Sequence, residues 1–254
     1  GNGKAVRVSP DVKAQYVFSD SYVLYAKATG GRQLNDFRRL ETYNPYLDPG
    51  QAVRDTYEQL NAGLGFKASP TPGLWFDIFG GYQNLKDDLY QSADQWIGGS
   101  GANYIALGQT NTDNFYAGIK ASYEYKDLFA ISAGGTYYHW NADAQTTGSK
   151  SSDYNEALLM KPEFDLGIHT EIHPIAALWL NAGYQYTRRA ERYTGLYAKS
   201  IPAVSNLSLG ATYRIFKGIS AYVKADNLLN KKYQYYLYYP VEGINFVGGL
   251  SFRF

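Results

Sequence analysis

The chain has no cysteine, one methionine and only three histidines in 254 residues. No disulfide frame, thiolate nucleophile or cysteine-ligated metal is available, and His139, His169 and His173 are too scattered for a histidine metal site. An excess of one charge is also missing: 24 Lys+Arg face 23 Asp+Glu, a formal +1. That balance removes the global attraction to nucleic acid or acidic surfaces. No nucleic-acid partner and no cofactor are expected. The sequence contains no run of about eighteen apolar residues, and its mean hydropathy is −0.39, so a transmembrane helix is excluded. A membrane protein is not, because barrel strands alternate lipid-facing and lumen-facing side chains and average to a soluble-like value. The opening GNGKAVRVSP has neither a basic n-region nor an apolar h-region, so any signal peptide has been removed or was never included.

What is present is aromatic and periodic. Tyrosine accounts for 26 residues, glycine for another 26, and 45% of the chain is hydrophobic. Apolar and polar residues alternate with period two along nearly the whole length, the mark of strands with two chemically different faces. In NFYAGIKASYEY, Phe115, Ala117, Ile119, Ala121, Tyr123 and Tyr125 share one face, while Tyr116, Gly118, Lys120, Ser122 and Glu124 share the other. The same reading gives eleven strands, placing a strand from Leu158 onward and a loop over residues 85–113. Within hairpins the gaps are short; between hairpins they are long, at 30–54, 85–113, 141–155, 188–200 and 229–243. Short turns at one end and long loops at the other are how outer-membrane barrels are built. Aromatics on the apolar face cluster in two bands, Tyr16, Phe18, Tyr22, Tyr123, Tyr125, Tyr213 and Phe252 at the short-turn end and Phe115, Tyr137 and Phe246 nearer the loops. Amphipathic rings at two lipid–water interfaces give such girdles. Pro10 and Pro162 fall within the alternating runs and imply a bulge or an unpaired edge.

The expected fold is therefore an all-β, antiparallel transmembrane barrel or half-barrel of about 11 strands, a single domain over residues 1–254. The expected location is the bacterial outer membrane, with lipid and lipopolysaccharide as surroundings. The polar face carries both signs, among them Lys67, Asp77, Lys120, Asp165, Glu171, Lys224 and Asp226, which argues against a single-sign ion pore and for a filled or contacted lumen. Asp165, His169 and Glu171 share that face, but alternating polar residues are what any polar lumen requires, so lumen lining outweighs catalysis and no enzyme is expected.

Binding belongs in the long loops. Arg32, Arg38, Arg39, Tyr43 and Tyr46 lie in the first, Arg188, Arg189, Tyr193 and Tyr197 in the fourth, and Tyr235, Tyr236 and Tyr238 in the last. Arginine supplies forked donors for carboxylate or phosphate, and tyrosine a flat face with a hydroxyl. These twelve are the candidate ligand-binding residues, with lipopolysaccharide phosphates as a competing partner for the arginines.

The C-terminal stretch VKADNLLNKKYQYYLYYPVEGINFVGGLSFRF resembles the end of the TonB-dependent outer-membrane receptor family. Asn227, Leu228, Leu229, Asn230, Lys231, Lys232 and Tyr233 match the family's penultimate-strand element, and Gly243, Phe246, Gly249, Leu250, Arg253 and Phe254 its terminal run. Ile244 stands where the family often has arginine. The resemblance implies a 22-stranded barrel with an internal plug domain that engages TonB, importing a siderophore, haem, cobalamin or glycan. No plug is recognisable in this sequence, so the chain is expected to be the C-terminal half of such a barrel, as a fragment or one part of a split barrel. The rival is a complete small barrel acting as a passive pore or structural protein. Exposed edges of a half-barrel would also invite self-pairing.

Overall fold

The computed structural model describes residues 8–48, 50–97, 104–143, 156–190 and 201–253. The strands are β1 (Asp11–Ser19), β2 (Tyr22–Gln33), β3 (Thr56–Thr71), β4 (Leu74–Ile97), β5 (Tyr104–Tyr125), β6 (Phe129–Ala142), β7 (Pro162–Ile175), β8 (Leu178–Arg189), β9 (Val204–Phe216) and β10 (Ile219–Asp226). A small hairpin, β11 (Gln234–Tyr236) with β12 (Tyr239–Pro240), precedes β13 (Asn245–Phe252). Among the described residues, one short helix, α1 (Phe37–Tyr43), and a single 3-10 turn (Glu156–Leu158) are the other elements. The ten long strands and β13 form one antiparallel 11-stranded sheet in chain order, with β1 and β13 at its edges. The expected strand number is therefore met in the main sheet, and β11–β12 is an addition inside the last loop.

Register and exposure show that the two faces differ chemically. Leu24, Phe66, Ile78, Ile119 and Gly135 lie in one continuous cross-strand row, as do Ala26, Leu64, Gly80, Ala117 and Tyr137. Leu64, Ile78, Phe115, Ile119, Leu209, Val223 and Leu250 are all about half exposed or more, Leu64 at 64%. A water-soluble fold rarely leaves an apolar face this continuous uncovered. The opposite, polar face is the concave one, because Trp75 on β4 and Lys224 and Asp226 on β10 line a single cavity.

Hairpin turns are tight. Asp20–Ser21, Pro72–Gly73, Lys126–Leu128, Ala176–Ala177 and Lys217–Gly218 are the whole of the five short connections. Gly73 and Gly218 have φ of 80° and 86°, and a methyl at Gly218 would come within 2.6 Å of the Arg253 carbonyl oxygen. Such a turn favours glycine.

Three expectations change. The region 85–113 is largely strand: β4 and β5 stay paired through Leu85–Thr112, Tyr90–Gly108 and Ile97–Tyr104, with register shifts between Leu85 and Asp88 and between Gln91 and Trp96. At roughly 3.3 Å per residue, a 24-residue β4 greatly exceeds the ~10 residues needed to cross a bilayer, so its upper half projects beyond the membrane. Period two fades there because both faces are covered: Leu85, Leu89, Ile105, Ala106 and Leu107 are buried along with Asp88, Gln91, Ser92 and Thr112. Leu158 lies in the 3-10 turn rather than in a strand, and Leu159 and Met160 pack into a loop core. Pro10 sits just before β1 rather than within it, whereas Pro162 opens β7 beside a register shift, as a missing ladder donor requires.

The lipid-facing assignment predicts a sign. Leu64→Arg should cost about 2–4 kcal/mol in a bilayer-reconstituted barrel. Urea unfolding from lipid vesicles reads that cost, and an unchanged midpoint would refute a lipid contact at this position.

Candidate functional site

The long-loop end is a folded platform. Asp36 caps α1, its carboxylate accepting the Arg39 amide at 2.9 Å, which satisfies one orphan N–H of the first turn. Asn35 is buried and donates from its side chain to the Arg54 carbonyl at 2.7 Å and to the Thr56 hydroxyl at 3.1 Å. Its own amide donates to Asp55 at 3.0 Å, and Arg32 pairs with the same carboxylate. The Asn35 amide and then the Arg32 guanidinium hold Asp55 below the usual carboxylate range. The Arg39 guanidinium donates to Gln33 at 2.5 Å, and the Tyr43 hydroxyl to the Leu89 carbonyl at 3.3 Å. Burial pushes the Tyr43 phenol well above its ordinary range.

A small apolar core ties distant loops together: Ile105, Leu159 and Leu237, with Leu47, Met160, Ile201 and Tyr239 against it. Leu237 reaches it from the β11–β12 hairpin, and its amide donates to the Gln91 side chain on β4 at 2.8 Å. Tyr46 stacks on Tyr239 with ring centres 3.6 Å apart and meets Tyr236 edge-on at 5.7 Å. Arg189 donates to the carbonyls of Met160 at 3.0 Å and Gln234 at 2.8 Å, and desolvation lowers its pKa. Arg188 pairs with Glu163 at 2.8 Å, and Tyr235 donates to Gln185 at 3.0 Å. Gln51 clamps the Leu107 backbone at 2.6 and 2.7 Å, and Gln109 clamps Arg54 in the same two-bond way at 2.7 and 2.8 Å.

Below this layer Lys161 and Asp88 form a mostly buried ion pair at 2.5 Å. Thr112 donates to the same carboxylate at 2.8 Å, and the Lys161 ammonium lies 4.7 Å from the Trp140 ring centre.

The asparagine of the C-terminal element is an elbow. Asn227 is buried with φ of 51°; its side-chain NH2 donates to the Lys231 and Glu242 carbonyls at 2.9 and 2.8 Å, and its oxygen accepts the Lys231 amide at 3.0 Å. Asparagine tolerates the left-handed region and offers an acceptor and donors together. This element therefore turns the last loop back through a buried Asn227, with Tyr233 also buried and Leu229, Asn230, Lys231 and Lys232 exposed.

The lumen wall carries the mixed charges expected of it. Asp77 lies in direct register between Lys67 and Lys120 and accepts the Tyr25 hydroxyl at 3.0 Å. Lys224 pairs with Asp226 at 2.9 Å. His169 contacts Glu171 at 3.1 Å on an open stretch of wall, Asp165 standing further along the same face.

Of the candidate binding residues, the structure thus engages Arg32, Arg39, Arg188 and Arg189 in intramolecular contacts and brings Tyr46 and Tyr236 together. Arg38 lies on α1 and lines a shallow cavity with Tyr43; Tyr238 is at the β11–β12 turn, with φ of 65° and its amide bonded to Gln234 at 2.8 Å. Tyr193 and Tyr197 fall outside the described residues. Asn35, Gln51, Gln91 and Gln109, which anchor the loops, were not singled out by the sequence. A single amide in a polar loop carries no periodic signal that would find it.

No family model and no curated protein sequence matches the chain. Among solved structures it is similar to the ferric-catecholate import receptor Fiu from E. coli K12, with a TM-score of 0.64, 13% identity, and coverage of 95% of this chain and 34% of that one. It is similar also to the pyoverdine outer-membrane receptor FpvA from Pseudomonas aeruginosa PAO1, with a TM-score of 0.63, 16% identity, and coverage of 97% and 36%. The copper transporter OprC gives 0.60, 15%, and coverage of 95% and 39%. The chain has the fold of the barrel wall of TonB-dependent outer-membrane receptors. It spans between a third and two-fifths of the length of these proteins.

Two outcomes test the platform. Lys161→Met leaves Asp88 buried without its cation and should cost about 3–5 kcal/mol, while the Lys161→Met/Asp88→Leu pair should recover much of the loss; equal losses in urea unfolding would refute the coupling. Asp55, with a depressed folded pKa, contributes stability that is present above its unfolded value near 3.9 and is lost as pH falls through the folded value. The protection factor of the Asn35 amide, its exchange rate relative to the intrinsic rate at the same pH, should therefore fall on acidification below about pH 4, and Asp55→Asn should abolish that dependence.

Proposed function

We propose that this chain is the C-terminal barrel portion of a TonB-dependent receptor in the bacterial outer membrane, which imports a siderophore, haem, cobalamin or glycan without making or breaking a bond. The observation that carries this reading is the pairing of an uncovered apolar outer face with a polar concave face whose long-loop end is capped by a Tyr/Arg platform. The fold of Fiu, FpvA and OprC supports it. On this reading lipid and lipopolysaccharide surround the wall, and a plug domain and TonB are partners of the full receptor.

Strand direction favours this over a complete small pore. Both edge strands, β1 and β13, run from the long-loop end toward the short-turn end, since β1 leads into a short turn and β13 follows a long loop. Joining β1 to β13 within one chain, or between two copies, would make a parallel seam in an otherwise antiparallel wall. An antiparallel closure needs strands of the opposite direction at both edges, hence an odd number of further strands, as a 22-stranded barrel provides.

Cargo recognition falls to the side chains that face out of the platform: Tyr46, Tyr235 and Tyr238, each about two-fifths exposed, and Arg38 on α1, which lines a separate shallow cavity with Tyr43. Arg32, Arg39, Arg188 and Arg189 hold the loops that present them.

Deleting the gene should abolish growth on one class of scarce nutrient, in a panel of ferric siderophores, haem, cobalamin and oligosaccharides, and deleting TonB should abolish it equally. Tyr46→Ala and Tyr238→Ala should weaken binding of that cargo by about tenfold, roughly 1.4 kcal/mol. Open-channel conductance of the full protein in planar bilayers with no TonB-dependent phenotype would favour the passive pore instead.

A further inference from the structure

We propose that the outer wall carries a phosphate site for lipopolysaccharide on β2–β4, formed by Lys86 and Arg32 on either side of Tyr57. The inference rests on the outer-membrane placement proposed above and requires nothing of the cargo.

A single strand sets the depth. The pairing of β4 with β5 is unbroken from Leu74 to Leu85, and Leu85 and Lys86 take consecutive partners on β3, Glu58 and Tyr57. Alternate residues of β4 therefore keep one face up to Lys86. On the lipid side they run Phe76, Ile78, Gly80, Tyr82, Asn84 and Lys86: a ring, a short aliphatic stretch, a second ring, an amide and an ammonium. Tyr82 meets Phe115 with ring centres 4.8 Å apart and belongs to the upper aromatic band. Four residues further, at about 3.3 Å each on a strand tilted by ~40°, the Lys86 backbone stands about 10 Å above that band. Its four-carbon stem can lie along the wall with the ammonium among lipid headgroups. Just beyond, Asp87 takes a φ of 53° and the register with β5 shifts, so Lys86 is the last lipid-side residue of the regular part of β4.

The neighbouring strands supply a second cation. Lys86 is the direct partner of Tyr57, and Tyr57 of Arg32, and directly opposed residues share a face. Two strand spacings separate the Arg32 and Lys86 Cα atoms by roughly 10 Å. Tyr57 between them is buried, its hydroxyl 2.6 Å from that of Ser9, so the space separating the two cations is filled. Lys86 is exposed and, among the described residues, makes no hydrogen bond or ion pair. The Arg32 side chain is 68% exposed and gives Nε and Nη2 to Asp55, leaving its Nη1 edge free. A point charge without a counter-ion and a guanidinium with an open edge, set apart on a lipid-side surface, match an anion that carries separated phosphates. Lipid A, the phosphorylated disaccharide that anchors lipopolysaccharide in the outer leaflet, has that chemistry at this level.

The test is lipid binding by the full-length protein in phosphatidylethanolamine nanodiscs, titrated with bisphosphoryl lipid A and read by native mass spectrometry. Dephosphorylated lipid A and phosphatidylglycerol are the comparison lipids. Lys86→Gln should weaken lipid A binding about fivefold, Lys86→Arg should restore it, and Lys232→Gln in the last loop should leave it unchanged. Dephosphorylated lipid A should bind the parent and Lys86→Gln alike, and added salt should narrow the difference between the two for lipid A itself. An unaltered affinity in Lys86→Gln, or an equal loss with the dephosphorylated lipid, overturns the proposal. So does phosphatidylglycerol binding as tightly as lipid A, which would make the site one for any anionic lipid. Heat-modifiable mobility certifies each variant as folded, and Lys86→Met replaces Lys86→Gln if the latter is not. Failure of the receptor reading shows separately, as the absence of TonB-dependent uptake in a protein that still binds lipid A.

Discussion

Hydrocarbon offers a backbone amide no hydrogen-bond partner, and the whole chain is organised by that one constraint. Each spanning strand must satisfy its N–H and C=O groups on its neighbours, which forces a continuous ladder from β1 to β13. Once the ladder is fixed, period two delivers alternate side chains to two solvents. Leu64 and Lys67 lie on the same strand, β3, yet one meets the outside of the wall and the other a tyrosine ring and a carboxylate within it. The average hydropathy of such a strand says nothing about the membrane, whereas its phase says almost everything.

The lumen solves a second problem, that of packing a concave face. Rings as large as Tyr25, Phe79 and Tyr116 cannot stand upright beside one another on closely spaced strands without filling the interior. Laid flat, each needs a neighbour with no Cβ, and Gly65, Gly118, Gly63 and Gly81 supply it. The high glycine content thus belongs to cross-strand partnerships as well as to turns. A phenol over a glycine also keeps its hydroxyl within reach of a polar neighbour, as Tyr25 reaches Asp77 and Tyr116 reaches Asn61 at 2.9 Å. Ring burial and charge placement on this wall are consequently one arrangement, and altering either disturbs both.

Legibility in the sequence followed the two solvents. Where a strand separates lipid from lumen, as Phe115 to Tyr125 does, alternation named the face of every residue and the register agrees. Above the membrane, Leu85 to Gln91 and Ile105 to Leu107 are covered on both sides, so apolar and hydrogen-bonded polar residues mix without phase and the strands read as loop. Leu159 and Leu237 carried no phase for a related reason: one lies in the unbroken apolar run Ala157–Met160 and the other among tyrosines, and only the folded loops bring them together at Ile105. The arginines were legible as a group but not in their roles. Residue type promises a forked donor, while the partner that claims it, Asp55 for Arg32 or the Gln234 carbonyl for Arg189, lies tens of residues away in sequence.

Those occupied arginines bear on how the mouth works. A loop held only by its ends would lose conformational freedom on closing around a cargo, and that loss would be subtracted from affinity. Here the β11–β12 hairpin is already fastened by Gln91, Arg189, the Tyr46–Tyr239 stack and the Leu237 contact. Most of the ordering cost is therefore met during folding, and the aromatic faces left outward are presented in place. The elbow at Asn227 completes the arrangement, since its four hydrogen bonds turn the chain back over the mouth directly from the end of β10. If the chain is the receptor part proposed above, the conspicuous C-terminal element and the inconspicuous loop amides serve one end, the preorganisation of a surface whose chemistry is carried by other residues.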